Sequence, residues 1–366
     1  MKINVQKDLL LEKLNLVSRF TSNRLASSTA LQGVLIKTDD SHVHLFSTNL
    51  TTYFHTSFPY TEKEPIQVII EPRKIVEFLN LLNPGEVILD LSDKQVIIRQ
   101  DKTRGSFPVM TAEDFPLPPT MVDNEQNIDS KFFLDNLPLL LFTASSDETR
   151  PVLTGINFVN AESELLMVAT DGFRLSLIKK KAMGEIPSMI IPSDFLQEIL
   201  KSIKDIKQIG FSFSREEKLV KFTVGGDEYY SRLIEGEFPP FERVILNESK
   251  TKVKVDKADL QRNVKLISIF ARDFSNVVIG EFTKEGLTIR PKKEANQENT
   301  AFQDIEMEGE DQKIAFNYKF VLDLLNHVDE KTVIMEILRP DAPVAFKLEK
   351  NKDFLHIIMP VRIQEE

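Results

Sequence analysis

Asp147, Glu148 and Asp171 are the residues whose type and spacing could do chemistry. Two adjacent carboxylates lie in Ser145-Ser-Asp-Glu-Thr-Arg-Pro-Val-Leu-Thr-Gly155, and a third in Val168-Ala-Thr-Asp-Gly-Phe-Arg-Leu-Ser-Leu177. Brought together, they would hold a divalent metal or divide acid and base duties, as in a metal-dependent nuclease or hydrolase. Such work needs several ligands converging, usually with a histidine. The chain has five, His42, His44, His55, His327 and His356, and none stands at a ligand spacing from these acids. His42 and His44 lie two apart on an expected strand and read as exposed decoration of one face more readily than as metal ligands. No Gly-rich phosphate loop, Gly-x-Ser-x-Gly elbow or His-Glu-x-x-His pattern occurs. The chain has no cysteine, which removes thiolate nucleophiles and cysteine-held metals. No cofactor is implied, and the balance is against an enzyme.

The elements that position these residues recur three times. Leu10, Leu14 and Val17 return as Phe133, Leu137 and Leu140, then as Leu260, Val264 and Ile267, offset by 123 and 127 residues. Each set has the i, i+4, i+7 spacing of one buried helical stripe. A second marker is a strand running into a helix with Pro72, Pro192 or Asn317 near its start, offset by 120 and 125 residues. So long a period means three copies of a domain and not a solenoid. Short alternating strands lie between the helices. The expected fold is therefore α+β: three repeated domains, each with two helices laid on antiparallel sheet. Breaks at 115–119 and over the stretch from Phe238-Pro-Pro240 to Lys252 place the domains at 1–121, 122–249 and 250–366. Asp171-Gly172 between alternating runs predicts a two-residue hairpin turn with positive φ at both central positions.

At 366 residues, 42% hydrophobic and 28% charged, the chain is long enough for two or three globular cores. Residues 1–8 alternate and carry charge, so they read as a strand and not a signal peptide. The most apolar run, 137–142, is short and contains Pro138, so no membrane span is expected. The absence of cysteine fits a cytoplasmic protein. Net charge is −10, from 56 acidic and 46 basic residues, which taken alone argues against a protein that coats DNA with its whole surface. Cations nevertheless recur on expected helices of every repeat: Lys7, Lys13 and Arg19; Arg73 and Lys74; Lys201, Lys204 and Lys207; Lys257, Arg262, Lys265 and Arg272. Any one set reads as a solvated helix face. With the sheets side by side and helices inward they would line one concave surface. Arg24, in the polar loop 21–29, could touch phosphate there.

Three segments, Ala169-Thr-Asp-Gly-Phe-Arg-Leu175, Leu233-Ile-Glu-Gly-Glu-Phe-Pro-Pro-Phe-Glu-Arg-Val244 and Met359-Pro-Val-Arg362, resemble signatures of the bacterial DNA polymerase sliding clamp, and the resemblance runs the length of the chain. It implies a non-catalytic processivity subunit of DNA polymerase III that encircles duplex DNA without reading sequence. It implies a head-to-tail homodimer, six similar domains in a closed ring, with Phe107 and Val109 meeting Ile269 and Phe270 across the joint. Arg24, Arg73, Lys201 and Lys204 would face DNA. The partner pocket implied comprises Leu153, Gly155, Thr170, Gly172, Phe173, Arg174, Leu175, Pro239, Arg243, Val244, Met359, Pro360, Val361 and Arg362, with Asn317 and Phe320 nearby. Replicative polymerase, clamp loader and other carriers of the clamp-binding motif would compete for it. Phe173 stands where histidine is frequent, Pro151-Val152 where tyrosines occur, and 364–366 extend past the usual end. The rivals are the nuclease above and a repeat scaffold binding only proteins.

Overall fold

The computed structural model describes residues 1–22, 29–61, 65–121, 125–161, 163–181, 186–203, 205–273, 275–292 and 299–362. Among these lie helices α1 (Lys7–Ser18), α2 (Pro72–Leu81), α3 (Ser130–Asn136), α4 (Pro138–Leu141), α5 (Ser193–Ser202), α6 (Lys257–Ala271) and α7 (Tyr318–His327). The three apolar stripes of the sequence are their buried faces: none of the nine residues is more than 3% exposed. Helix starts follow local chemistry. Pro72 opens α2, where a missing N–H costs little. Asp256 caps α6 by accepting from the amides of Ala258 and Asp259, and Asn317 caps α7 through Lys319. α3 and α4 stand where one helix was expected. The ring of Pro138 removes an amide there and divides them.

The chain forms two compact units, Met1–Lys131 with Lys201–Leu233, and Phe132–Leu200 with Ile234–Glu366. The first holds a 12-stranded sheet, with Lys2–Gln6 at one edge and Gln126–Asp129 at the other. Within it, strand Thr52–Pro59 of the first repeat pairs antiparallel with Asp227–Arg232 of the middle one, Phe54 opposite Tyr229. That seam is packed by Phe20, whose ring stacks on Phe54 at 5.1 Å, while Tyr229 meets Phe54 edge-on at 4.7 Å. α1 lies against α2 and against the strands beside this seam.

The second unit holds a nine-stranded sheet, in which Glu164–Thr170, Arg174–Lys181 and Phe354–Ile358 are neighbours, and a four-stranded sheet that includes Val277–Thr283 and Gln312–Asn317. α6 covers the four-stranded sheet and packs on α7.

The basic helix faces need correction. Lys7 is buried and pairs with Asp8 at 3.0 Å, and Lys13 donates to Asp227 at 2.7 Å. Both are structural, so α1 presents Arg19 but not a row of cations. Lys207 is not helical: α5 ends at Ser202, and the carbonyl of Lys207 accepts from the amide of Ser130 just before strand Gln208–Ser214.

Candidate functional site

The implied pocket residues all belong to the second unit. The turn after Glu164–Thr170 is longer than the sequence suggested, with Thr170 paired to Leu175. Gly172 has φ of +95°, whereas Asp171 does not take a positive φ. The Asp171 side chain accepts from the amides of Phe173 and Arg174 at 2.9 and 3.0 Å. Such a side-chain turn competes with the tight two-residue hairpin, and here it wins.

Arg174 is the centre of the arrangement. Its Nε donates to Asp171 at 2.9 Å, Nη1 to Asp323 at 2.6 Å and Nη2 to the Phe142 carbonyl at 2.9 Å. The guanidinium also sits 4.7 Å from the Phe320 ring centre, a cation–π distance. The side chain is only 10% exposed, so Arg174 is an internal brace. Replacing it with methionine leaves Asp171 and Asp323 without their partner. Urea unfolding should show a loss of about 1–3 kcal/mol.

Around this brace the walls are apolar. Segment 238–245 lies over the sheet, where Phe241 joins Val168, Leu175, Leu177 and Ile357, with Val244 packed alongside. Leu153 and Gly155 are buried beneath. A Cβ at Gly155 would stand 2.6 Å from Ile190 and 2.8 Å from the Ile191 carbonyl, so only glycine allows this approach. Phe173 is exposed, and its ring lies near-parallel to Phe320, centroids 6.4 Å apart. Strand Phe354–Ile358 ends before Met359, and the chain is then tied twice: the Met359 amide donates to Phe173 and the Val361 amide to Ala315. Met359 and Pro360 are half-buried, and Arg362, Pro239 and Arg243 are exposed. Val361 differs from expectation. It packs on Val277, Ile279 and Ala315, so it anchors the segment more than it faces the groove. Asn317 likewise uses its side-chain oxygen on the α7 cap.

Sequence reasoning missed Phe142, Phe241 and Asp323. Asp323 had a signal: three residues past Phe320 on α7, it shares that helix face.

The carboxylates proposed for metal work do not converge. Asp171 holds its turn and Arg174. Asp147 accepts from Thr149 and pairs with Arg150 at 3.2 Å, and the Thr149 hydrogen bonds hold its carboxyl below the usual range. Among the described residues no group of three or more His, Asp or Glu could hold a metal ion.

Of the DNA-facing candidates, Arg73 on α2 and Lys201 on α5 are exposed, while Arg24 and Lys204 lie outside the described residues. Lys201 and Arg19 line a cleft of the first unit together with Glu12 and Asp227, a surface of mixed sign. Ile269 and Phe270 are exposed on α6, and Phe107 and Val109 are half-buried on strand Thr103–Met110. No helix among the described residues is long and apolar enough to cross a membrane.

Family models of the DNA polymerase III beta subunit match the chain in sequence. The N-terminal domain matches residues 1–119, the central domain 127–240 and the C-terminal domain 242–362. The beta sliding clamp of Bacillus subtilis (strain 168) is 25% identical over 380 residues, spanning 99% of this chain and 100% of that one. That of Staphylococcus aureus is 26% identical over 379 residues, 99% of each. The crystal structure of the Bacillus subtilis clamp superposes with a TM-score of 0.91 at 25% identity, over 100% of both chains. Three such domains in one chain define the sliding-clamp fold. The chain belongs to the DNA polymerase III beta subunit family, whose members are non-catalytic sliding clamps of DNA replication.

Proposed function

We propose that two copies of this chain close head to tail into a cytoplasmic ring around duplex DNA. Domains 1–121, 122–249 and 250–366 of each copy would be the six segments of the ring. The pocket braced by Arg174 would hold the clamp-binding motif of replicative polymerase, clamp loader and other replication and repair proteins. The observation that carries this reading is the match of three clamp domains in order along the whole chain.

Two features of the separate units support the joint. α6 carries Leu266, Ile269 and Phe270 exposed side by side. In the other unit, strand Thr103–Met110 pairs along one side with Gln95–Gln100, but on the other only Val109 and Met110 are paired among the described residues. An open edge with half-buried Phe107 suits β-sheet addition by a second copy. The pocket's aliphatic and proline walls suit short peptides with Leu or Phe anchors. Light scattering at micromolar concentration should give the mass of a dimer. A monomer or a trimer there contradicts the reading.

A further inference from the structure

His42 and His44 are half-buried where exposed decoration was expected, His55 is half-buried too, and His327 is exposed. His356 differs from all four: it is 0% exposed. It lies on strand Phe354–Ile358, directly opposite Ser176 of strand Arg174–Lys181. The two strands are neighbours in the nine-stranded sheet but come from different repeats, Ser176 from the middle one and His356 from the third. Their pairing is the joint between those repeats.

A short chain of hydrogen bonds crosses this joint. Ser176 Oγ lies 2.8 Å from Thr143 Oγ1 and 2.8 Å from His356 Nδ1, and Thr143 and Ser176 are as fully buried as His356. Phe142, Phe346 and Phe354 surround the imidazole, with ring centroids 5.4, 6.3 and 6.4 Å away. Nε2 has no hydrogen-bond partner among the described residues. A neutral ring can leave Nε2 as a bare acceptor while Nδ1 makes the bond to Ser176. A protonated ring must carry hydrogen on Nε2 as well, as a charged donor in an apolar shell with nothing to accept it.

The charged groups nearby do not relieve that cost. Arg174, two residues before Ser176 on the same strand, has the same sign as a protonated His356, and it engages Asp171 and Asp323 itself. Burial first, and the Arg174 guanidinium second, hold the His356 imidazole down to about 3. His327 stacks on Phe142 at 4.5 Å and offers no negative charge. Lys347, on the neighbouring strand Val344–Leu348, lies on the other face of the sheet and pairs with Glu336 at 2.6 Å.

We propose that Thr143, Ser176 and His356 pin the joint between the middle and third repeats, that the pin holds only while His356 is neutral, and that acid therefore loosens this joint ahead of the rest of the fold. The joint exists in a single chain, so the pin depends neither on dimer formation nor on a bound peptide. Its two strands also serve the pocket: Arg174 begins one and Met359 follows the other. A free imidazole takes up a proton near pH ~6.5. Between that value and about 3 the opened joint binds a proton that the closed joint excludes, so the closed joint loses stability as pH falls through this window. Above the window the pin is at full strength.

The test is hydrogen exchange of the full chain, read residue by residue at about pH 7 and pH 5 and corrected for intrinsic rates. On going to the lower pH, amides of Arg174–Lys181 and Phe354–Ile358 should lose about twentyfold more protection than those of Glu86–Leu91 and Gln95–Gln100 in the first unit. His356→Leu and His356→Gln, neither of which titrates there, should remove that excess, and either protein suffices if the other does not fold. Ser176→Ala breaks the pin and leaves the titrating ring in place: at pH ~7 it should lower protection about fivefold at the joint alone. A loss shared equally by both units, or an excess that persists without His356, would overturn the proposal. So would full protection at neutral pH in Ser176→Ala.

Discussion

Replacing Ile269 and Phe270 together with alanine is expected to weaken self-association by about 3–8 kcal/mol, roughly two to six powers of ten in Kd. The two side chains are 59% and 42% exposed, and Leu266, one turn earlier, is 49% exposed. A row of large apolar side chains on one helix gains little from water and much from a partner surface. The lower end of the range applies if the joint collapses into the space left behind. Sedimentation at a series of concentrations measures the shift. An unchanged dimer would place the joint on another surface. Folding should be little affected, because neither residue belongs to the buried face of α6, which is Leu260, Asn263, Val264, Ile267, Ser268 and Ala271.

Deleting residues 359–366 is expected to abolish binding of a peptide of the Gln-Leu-x-Leu-Phe type, a loss of at least about a hundredfold, or ~2.7 kcal/mol. On the proposed function Met359 and Pro360 would form one wall of the peptide pocket, and the Met359 amide, donating to Phe173, and the Val361 amide, donating to Ala315, hold that segment in place. A segment outside regular structure frays unless docked, and this one is docked at two points. Because Val361 also packs on Val277, Ile279 and Ala315, the deletion should lower stability as well, by about 1–2 kcal/mol. The dimer should survive. Deleting only 364–366 should leave peptide affinity unchanged. Fluorescence anisotropy with a labelled peptide reads both proteins. Full-strength binding by the longer deletion, with the dimer confirmed, would move the pocket elsewhere.

The buried stripes of α1, α3–α4 and α6 were legible because helical spacing is a local property, and its recurrence revealed the three repeats. The caps at Asp256 and Asn317 and the opening Pro72 follow the same local rules. What was hidden depends on distant residues. Lys13 reads as a solvated cation until Asp227 arrives from 214 positions away. Arg174 reads as one implied pocket residue among many until α7 brings Asp323 from 149 positions away. The turn at Asp171 was misjudged for a subtler reason: an Asp side chain can replace backbone hydrogen bonds and lengthen a turn that Asp-Gly otherwise keeps tight. The family resemblance named Arg174, Val361 and Met359 as one implied pocket, but that Arg174 braces, Val361 packs inward and Met359 is tied to Phe173 required the fold.

Encirclement is tested most directly by loading the protein on closed circular duplex, removing unbound protein, and cutting the circle once. With a net charge of −10, and with Lys7 and Lys13 already paired, direct affinity for DNA should be weak and should fall further as salt rises. Retention must then come from topology. The protein should stay on intact circles through a salt wash and leave promptly once the circle is cut. Equal retention on cut and closed DNA would contradict the ring.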